Sequence, residues 1–300
     1  MQPNTPVASN NKNNSRTMLT HTLPQFLITA GKAVKKLCRQ SLRYMKFGTR
    51  NYEKCISVTN VDFKIIINPG KNGCVDESIA LQGKWEPEMS HKLAQYITPG
   101  DTFVDIGANI GYHTLFSASL LKNTGKVIAF EPIKRLAQQI EESVAANQFD
   151  NVEVYQNGLG DKAAELDLYV RDENMGGSSL SKYENLNLVS ASSVETISIK
   201  TLDSLLPAET RINVMKIDVE GHEFEALKGA ENLLQAQKPV IFMEFSPIFY
   251  KQDYPEKASE LITFLEDLGY SFETLSGTAI NLNQWLSETK NPTQIDVICK

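Results

Sequence analysis

The sequence predicts an α/β fold, an open doubly wound sheet with helices on both faces, and three stretches carry that prediction. The first is TFVDIGANIGYHT at 102–114. A β-branched run ends in Asp105, turns through Gly107, Asn109 and Gly111, and continues into an apolar segment suited to a helix. The second is VIAF at 127–130, a short strand closed by Glu131, 20 residues after Gly111. At about that spacing an acid on the second strand of a βαβ unit grips ribose hydroxyls. The third is VMKIDVEGHE at 214–223, a buried strand that runs out into Asp218, Glu220, His222 and Glu223. Glycines at such turns admit backbone N–H groups close to a ligand, and the helix that follows offers further unpaired donors. Asp105, Gly107, Asn109, Gly111 and Glu131 therefore read as one nucleoside pocket.

Three hundred residues with 41% hydrophobic content suffice for a substantial core. The formal net charge of −6 hides an asymmetry, because residues 1–50 hold 9 Lys or Arg and no acid. The other 21 of the 30 bases face all 36 acids in residues 51–300, a net of −15. An acidic body argues against nucleic acid as a partner, since phosphate contacts need clustered cations. Cys38, Cys55, Cys74 and Cys299 show neither zinc-ligand nor disulfide spacing. They read as small apolar residues in a reducing, cytoplasmic setting.

In chain order, residues 1–48 read as an N-terminal extension: 1–20 rich in Asn, Ser and Thr, then a basic amphipathic segment at 22–47. That segment suits a peripheral membrane contact through anionic headgroups, or a plain helix with solvated cations. Residues 49–84 read as a small β-rich region with turns at Pro69-Gly70 and Asn72-Gly73, and 85–300 as the main domain. A helix at 85–96 carries His91 as a surface or packing residue. Another at 134–147 repeats Leu136, Ile140 and Val144 at four-residue intervals. The strand at 152–156 leads into a polar turn where Asn157 or Asp161 meets the base of a nucleoside, an ordinary turn being the alternative. Strands at 165–170 and 194–201 flank a polar insertion, either an acceptor lid or an idle excursion. After 214–217, helix capping accounts for some of the acids, but three acids and a histidine within six residues exceed what capping requires. This strand end reads as an active-site edge. VIFME at 240–244 adds a strand ending in Glu244, and a helix at 257–268 with strands at 270–273 and 294–299 completes the sheet.

The ordered set VDIGANIGYHT, Phe130-Glu131-Pro132, TLDSLL, KIDVEGHE and FMEF resembles the FkbM-type S-adenosylmethionine-dependent methyltransferases over about residues 101–270. The resemblance implies a seven-stranded class I (Rossmann-like) methyltransferase sheet. It places Asp105, Gly107, Asn109 and Gly111 around the methionine portion of S-adenosylmethionine and Glu131 on the ribose. It also implies O-methylation of a hydroxyl on a sugar, glycan, lipid-linked or natural-product acceptor. Asp218, Glu220 and His222 would orient or deprotonate that hydroxyl, with Glu244 bordering the site as a further catalytic candidate. The family usually has Ala where this chain has Gly158. The same four side chains offer metal-ligand chemistry, but alternation along a strand sends neighbours to opposite faces, so no metal is assigned. A nicotinamide-dependent oxidoreductase would prefer GxGxxG. A non-catalytic cofactor-binding or membrane-scaffolding protein would have no use for the acids at 218–223.

Overall fold

A computed structural model describes residues 45–48, 50–171, 177–178, 180, 193–249, 256–289 and 294–300. They fall within one compact unit, Arg43–Lys300. The stretch expected to be disordered at 1–20, nearly all of the basic segment at 22–47, Cys38 and most of the 171–193 insertion lie outside the described residues. Among the described residues no helix is long and apolar enough to cross a membrane.

The chain begins with a hairpin, β1 (Tyr52–Val58) and β2 (Val61–Ile67), joined through Thr59 and Asn60, both at positive φ. Val61, Phe63, Ile65 and Ile67 of β2 point inward, while Asp62 and Lys64 are exposed. Two helices follow, α1 (Pro69–Asn72) and α2 (Cys74–Gln82), where further short strands were expected. Pro69 supplies the fixed φ of a first helical turn instead of a β-turn corner, and Gly73 joins the two helices at a φ of 97°. α3 (Pro87–Tyr96) then delivers the chain to β3 (Thr102–Ile106). α4 (Tyr112–Leu121), β4 (Lys126–Phe130), α5 (Lys134–Asn147) and β5 (Val152–Tyr155) complete a parallel run. Next come β6 (Gly158–Leu159), β7 (Ala164–Val170) and β8 (Ser193–Lys200), then α6 (Leu202–Leu205) and β9 (Val214–Ile217). The chain ends with α7 (Glu223–Lys228), α8 (Glu231–Gln237), β10 (Val240–Phe245), α9 (Lys257–Asp267), β11 (Phe272–Thr274), α10 (Leu282–Glu288) and β12 (Ile295–Cys299).

The main sheet has seven strands in the order β11-β12-β10-β9-β3-β4-β5. β12 runs antiparallel to its neighbours and the central pairs are parallel. The strands expected at 165–170 and 194–201 form a separate three-stranded sheet, β6-β8-β7. Apolar side chains cover both faces of the central strands, as parallel strands require. Phe103, Val127, Val214 and Phe242 pack on one face with Phe63 and Ile65 of the hairpin and Leu115 of α4. Val104, Ile128, Met215 and Met243 pack on the other with Leu227, Leu234, Leu261 and Leu265.

The outer edge of β2 is closed by a helical stripe. Gln139, Ser143 and Asn147 recur at four-residue intervals on α5. The N–H groups of Ile66 and Lys64 donate to Ser143 Oγ at 2.9 Å and Asn147 Oδ1 at 2.7 Å, while Gln139 and Asn147 donate to the carbonyls of Ile66 and Lys64. A strand edge that would otherwise invite pairing is thereby satisfied from within the molecule. Of the cysteines described, Cys299 fits the apolar reading, being buried, but Cys55 and Cys74 are exposed thiols.

Candidate active site

The strand order reverses between β3 and β9, and a cavity of about 400 Å³ opens at their carboxyl ends. This is where ligands bind in open α/β sheets. Backbone hydrogen bonds lock its floor. The N–H groups of Gly107 and Ala108 both donate to the Phe130 carbonyl at 3.0 Å, and that of Asp218 to the Ile106 carbonyl at 3.0 Å. Gly107 has a φ of 80°, and a Cβ there would lie 1.9 Å from the Asp218 carbonyl oxygen. Gly111, at 82°, starts α4 so close to α5 that a Cβ would come within 2.9 Å of Ile140. Both positions therefore demand glycine for conformation and for space.

At one end of the cavity, buried Asp105 accepts a hydrogen bond from Thr114 Oγ1 at 2.6 Å. Asn109 sits at a φ of 55° and donates its N–H to Glu131 Oε2 at 2.8 Å, leaving its buried Oδ1 without a protein partner. The second oxygen of Glu131 accepts from the Ile133 N–H at 2.8 Å. Burial pushes the Glu131 carboxyl up to about 8 against the pull of those two bonds. Asn157 also lines this cavity. Asp161 does not: it is exposed, because Gly160 N–H bonds the Lys200 carbonyl and the chain turns outward after it.

At the other end, side chains gather from neighbouring strands. Asp105 and Lys216 are register partners on β3 and β9, and Glu244 and Asp296 are register partners on β10 and β12. Lys216, nearly fully buried, extends to Asp218 Oδ2 at 3.1 Å. Burial opposes charge on Lys216, but Asp218, Glu86 and Asp105 together raise its pKa and keep it cationic. Glu244 is held by Ser246 Oγ and Gln294 Nε2, each at 3.2 Å, and burial with Asp218 and Glu220 pushes it up to about 9. Burial, Asp218 and Glu223 push Glu220 up to about 9 as well. His222 lines the cavity against the turn after β6, where a Cβ on Gly160 would lie 3.2 Å from its Nε2. Burial and Lys257 lower it to about 4, so it is neutral at pH 7.

The structure adds Glu86, His113 and Lys216 to the residues expected here. Glu86 precedes α3, and its Oε2 meets His113 Nε2 of α4 at 2.9 Å. Glu86, Asp218 and Glu244 each bring a carboxylate oxygen to within 4.8 Å of the others, whereas neither Glu220 nor His222 joins that group. His113 and Lys216 lie inside the motifs already singled out, one read only as helix and the other only as strand. Backbone geometry supplies an independent signal for Glu86. Nine non-glycine residues among those described have positive φ, and six occupy the hairpin turn or helix C-termini. The other three, Glu86, Asn109 and Glu220, all line the cavity. Backbone strain of this kind concentrates at functional sites.

Residues 105–272 match the family model described as the methyltransferase FkbM domain. "Methyltransferase 1" of Beauveria bassiana is 28% identical over 197 residues, covering 57% of this chain and 73% of that protein. Hexuronic acid methyltransferase AglP of Haloferax volcanii is 28% identical over 158 residues, covering 52% of this chain and 61% of that protein. Among solved structures, the methyltransferase FkbM of Methylobacillus flagellatus KT superposes with a TM-score of 0.42 at 16% identity, over 67% of this chain and 43% of that one. With the family match spanning more than half of its length, the chain belongs to the FkbM family of S-adenosylmethionine-dependent methyltransferases.

Proposed function

We propose that this cavity transfers a methyl group from S-adenosylmethionine to a hydroxyl of a sugar or related acceptor. One observation carries the reading: a single cavity joins the β3 turn and Glu131 at one end to a carboxyl-rich group, Glu86, Asp218 and Glu244, at the other. The residues present fit the cofactor. Gly107 lines the cavity and lets the β3 turn pack on the Asp218 carbonyl, Gly111 packs on Ile140 behind the cavity wall, and the orphaned Asn109 Oδ1 offers a polar contact. Glu131 retains lone pairs beyond its two backbone bonds for ribose hydroxyls, and Asn157 lines the same cavity, where it would meet the base. When bound, S-adenosylmethionine supplies an electrophilic methyl group on its sulfonium sulfur.

Asp218 and Glu244 hold the acceptor in this reading. Glu244 at about 9 keeps its proton at neutral pH and can donate a hydrogen bond, while Asp218, tied to Lys216, accepts one. Glu220 and His222 border the same space, and neutral His222 can receive a hydrogen bond. Orienting the acceptor supplies roughly 7–11 kcal/mol of barrier lowering, against a factor of about 10²–10⁴ from a positioned base. Orientation is the larger part. The sugar acceptor is supported by the hexuronic acid named for the AglP relative.

The test is transfer of isotopically labelled methyl to methyl glycosides of glucose, galactose, mannose and glucuronic acid, with mass identification of the product. Labelled ether on a sugar hydroxyl is expected, reduced at least tenfold in Asp218→Asn and Glu244→Gln. A protein that binds S-adenosylmethionine yet labels no hydroxyl would contradict the proposal.

A further inference from the structure

Glu86 lies outside residues 105–272, the segment shared with the family, yet its carboxylate stands among the acids of the acceptor end. It occupies the N-cap position of α3 but makes no side-chain cap hydrogen bond. Its backbone is instead left-handed, with φ 40° and ψ 64°, and the side chain crosses to His113 Nε2 on α4. A quarter of the side chain remains accessible, at 28%, whereas His113 is only 5% exposed and backs it from inside the protein. The Trp85 side chain also donates to this carboxylate, but its two oxygens offer about four acceptor sites, so His113 and Trp85 fix Glu86 without exhausting it.

We propose that Glu86, held in place by His113, receives the proton of the acceptor hydroxyl, so that the segment preceding the family domain completes the methyl-transfer site. This rests on the function proposed above. In the step, an oxygen lone pair forms the new C–O bond while the S–C bond breaks and its bonding pair stays on sulfur, which becomes a neutral thioether. The hydroxyl proton passes to the Glu86 carboxylate. An oxygen being methylated becomes far more acidic than any carboxylic acid, so a weak base suffices provided that it is ionised and in reach. The neighbours single out Glu86 for this role. Asp218 is salt-bridged to Lys216 and, in the function proposed above, takes its hydrogen bond from another hydroxyl of the acceptor, while Glu220 and Glu244 hold their own protons through neutral pH. Burial opposes ionisation of Glu86, but His113 and Lys216 outweigh it and bring the carboxyl down to about 2. Glu86 is thus the catalytic base and His113 its positioning residue.

Glu86→Gln keeps the shape and an acceptor oxygen but cannot take the proton. Tested with the four methyl glycosides, its kcat should fall by about 10²–10⁴-fold, with KM little changed. Its S-adenosylhomocysteine affinity should stay within about twofold of wild type and its Tm should be preserved, because a base acts on neither. His113→Gln, which retains an N–H donor, should keep more activity than His113→Leu. Wild-type turnover in Glu86→Gln would overturn the proposal, as would a parallel loss of S-adenosylhomocysteine affinity, which would make Glu86 a brace for the cofactor end. Loss of wild-type activity on chelation, restored by Mg²⁺ or Mn²⁺, would reassign the three carboxylates to a cation and equally overturn it. Should Glu86→Gln not fold, equal activity in His113→Gln and His113→Leu would count against the role. A wild-type protein that binds cofactor but methylates none of the glycosides fails at the earlier step, and the role of Glu86 falls with it.

Discussion

Glu131 shows how much one side chain carries at this site. It joins the two turns that form the nucleoside end by accepting the N–H groups of Asn109 and Ile133, and burial places its carboxyl at about 8. Ribose hydroxyls donating to it would stabilise the ionised form, so cofactor binding should release a proton. The sign follows directly: affinity for S-adenosylhomocysteine should rise with pH below about 8 and level off above it. Calorimetry in buffers of different ionisation enthalpy measures the released proton, and Glu131→Gln should abolish the dependence. A pH-independent affinity from 6 to 9 would remove Glu131 from ribose binding.

At the level of elements, α5 serves the site indirectly by fixing what packs beside it. Ser143 is fully buried, accepts the Ile66 N–H and donates to the Gln139 carbonyl. Ser143→Ala leaves the Ile66 N–H unpaired and should cost about 1–3 kcal/mol, read from chemical denaturation. A loss below about 0.5 kcal/mol would mean that water reaches this edge. The strands of the sheet centre were legible in the sequence because both faces are largely apolar, which leaves short apolar runs, broken only by Asp105 and Lys216, with acids at or just past their ends. Residues 69–82 were not legible. Pro69-Gly70 and Asn72-Gly73 are turn signals that serve equally as helix starts and joints, and the tie from Asn72 Nδ2 to Gln139 Oε1 of α5 at 2.8 Å exists only in the assembled chain. The strands at 165–170 and 194–201 were recognised as strands, but their pairing in a separate sheet is a property of the assembled chain.

In the whole molecule, one cavity spans the reversal of strand order between β3 and β9 and so has two chemically different ends. That Asp105, Gly107, Asn109 and Glu131 gather at one end of the cavity was legible because they lie close in sequence and their spacing reports the geometry. The acceptor end was legible in part. Asp218 and Glu244 terminate recognisable strands, but Lys216 reads as an interruption of an apolar run until its register beside Asp105 is seen. Glu86 and His113 become neighbours only when α3 meets α4. The division of labour between the ends is tested most directly by titrating S-adenosylhomocysteine into wild type, Glu131→Ala and Glu244→Gln. The account predicts at least a tenfold weaker affinity for Glu131→Ala and one within about twofold of wild type for Glu244→Gln. The reverse pattern, with Glu244→Gln losing the ligand and Glu131→Ala keeping it, would contradict the assignment of the two ends.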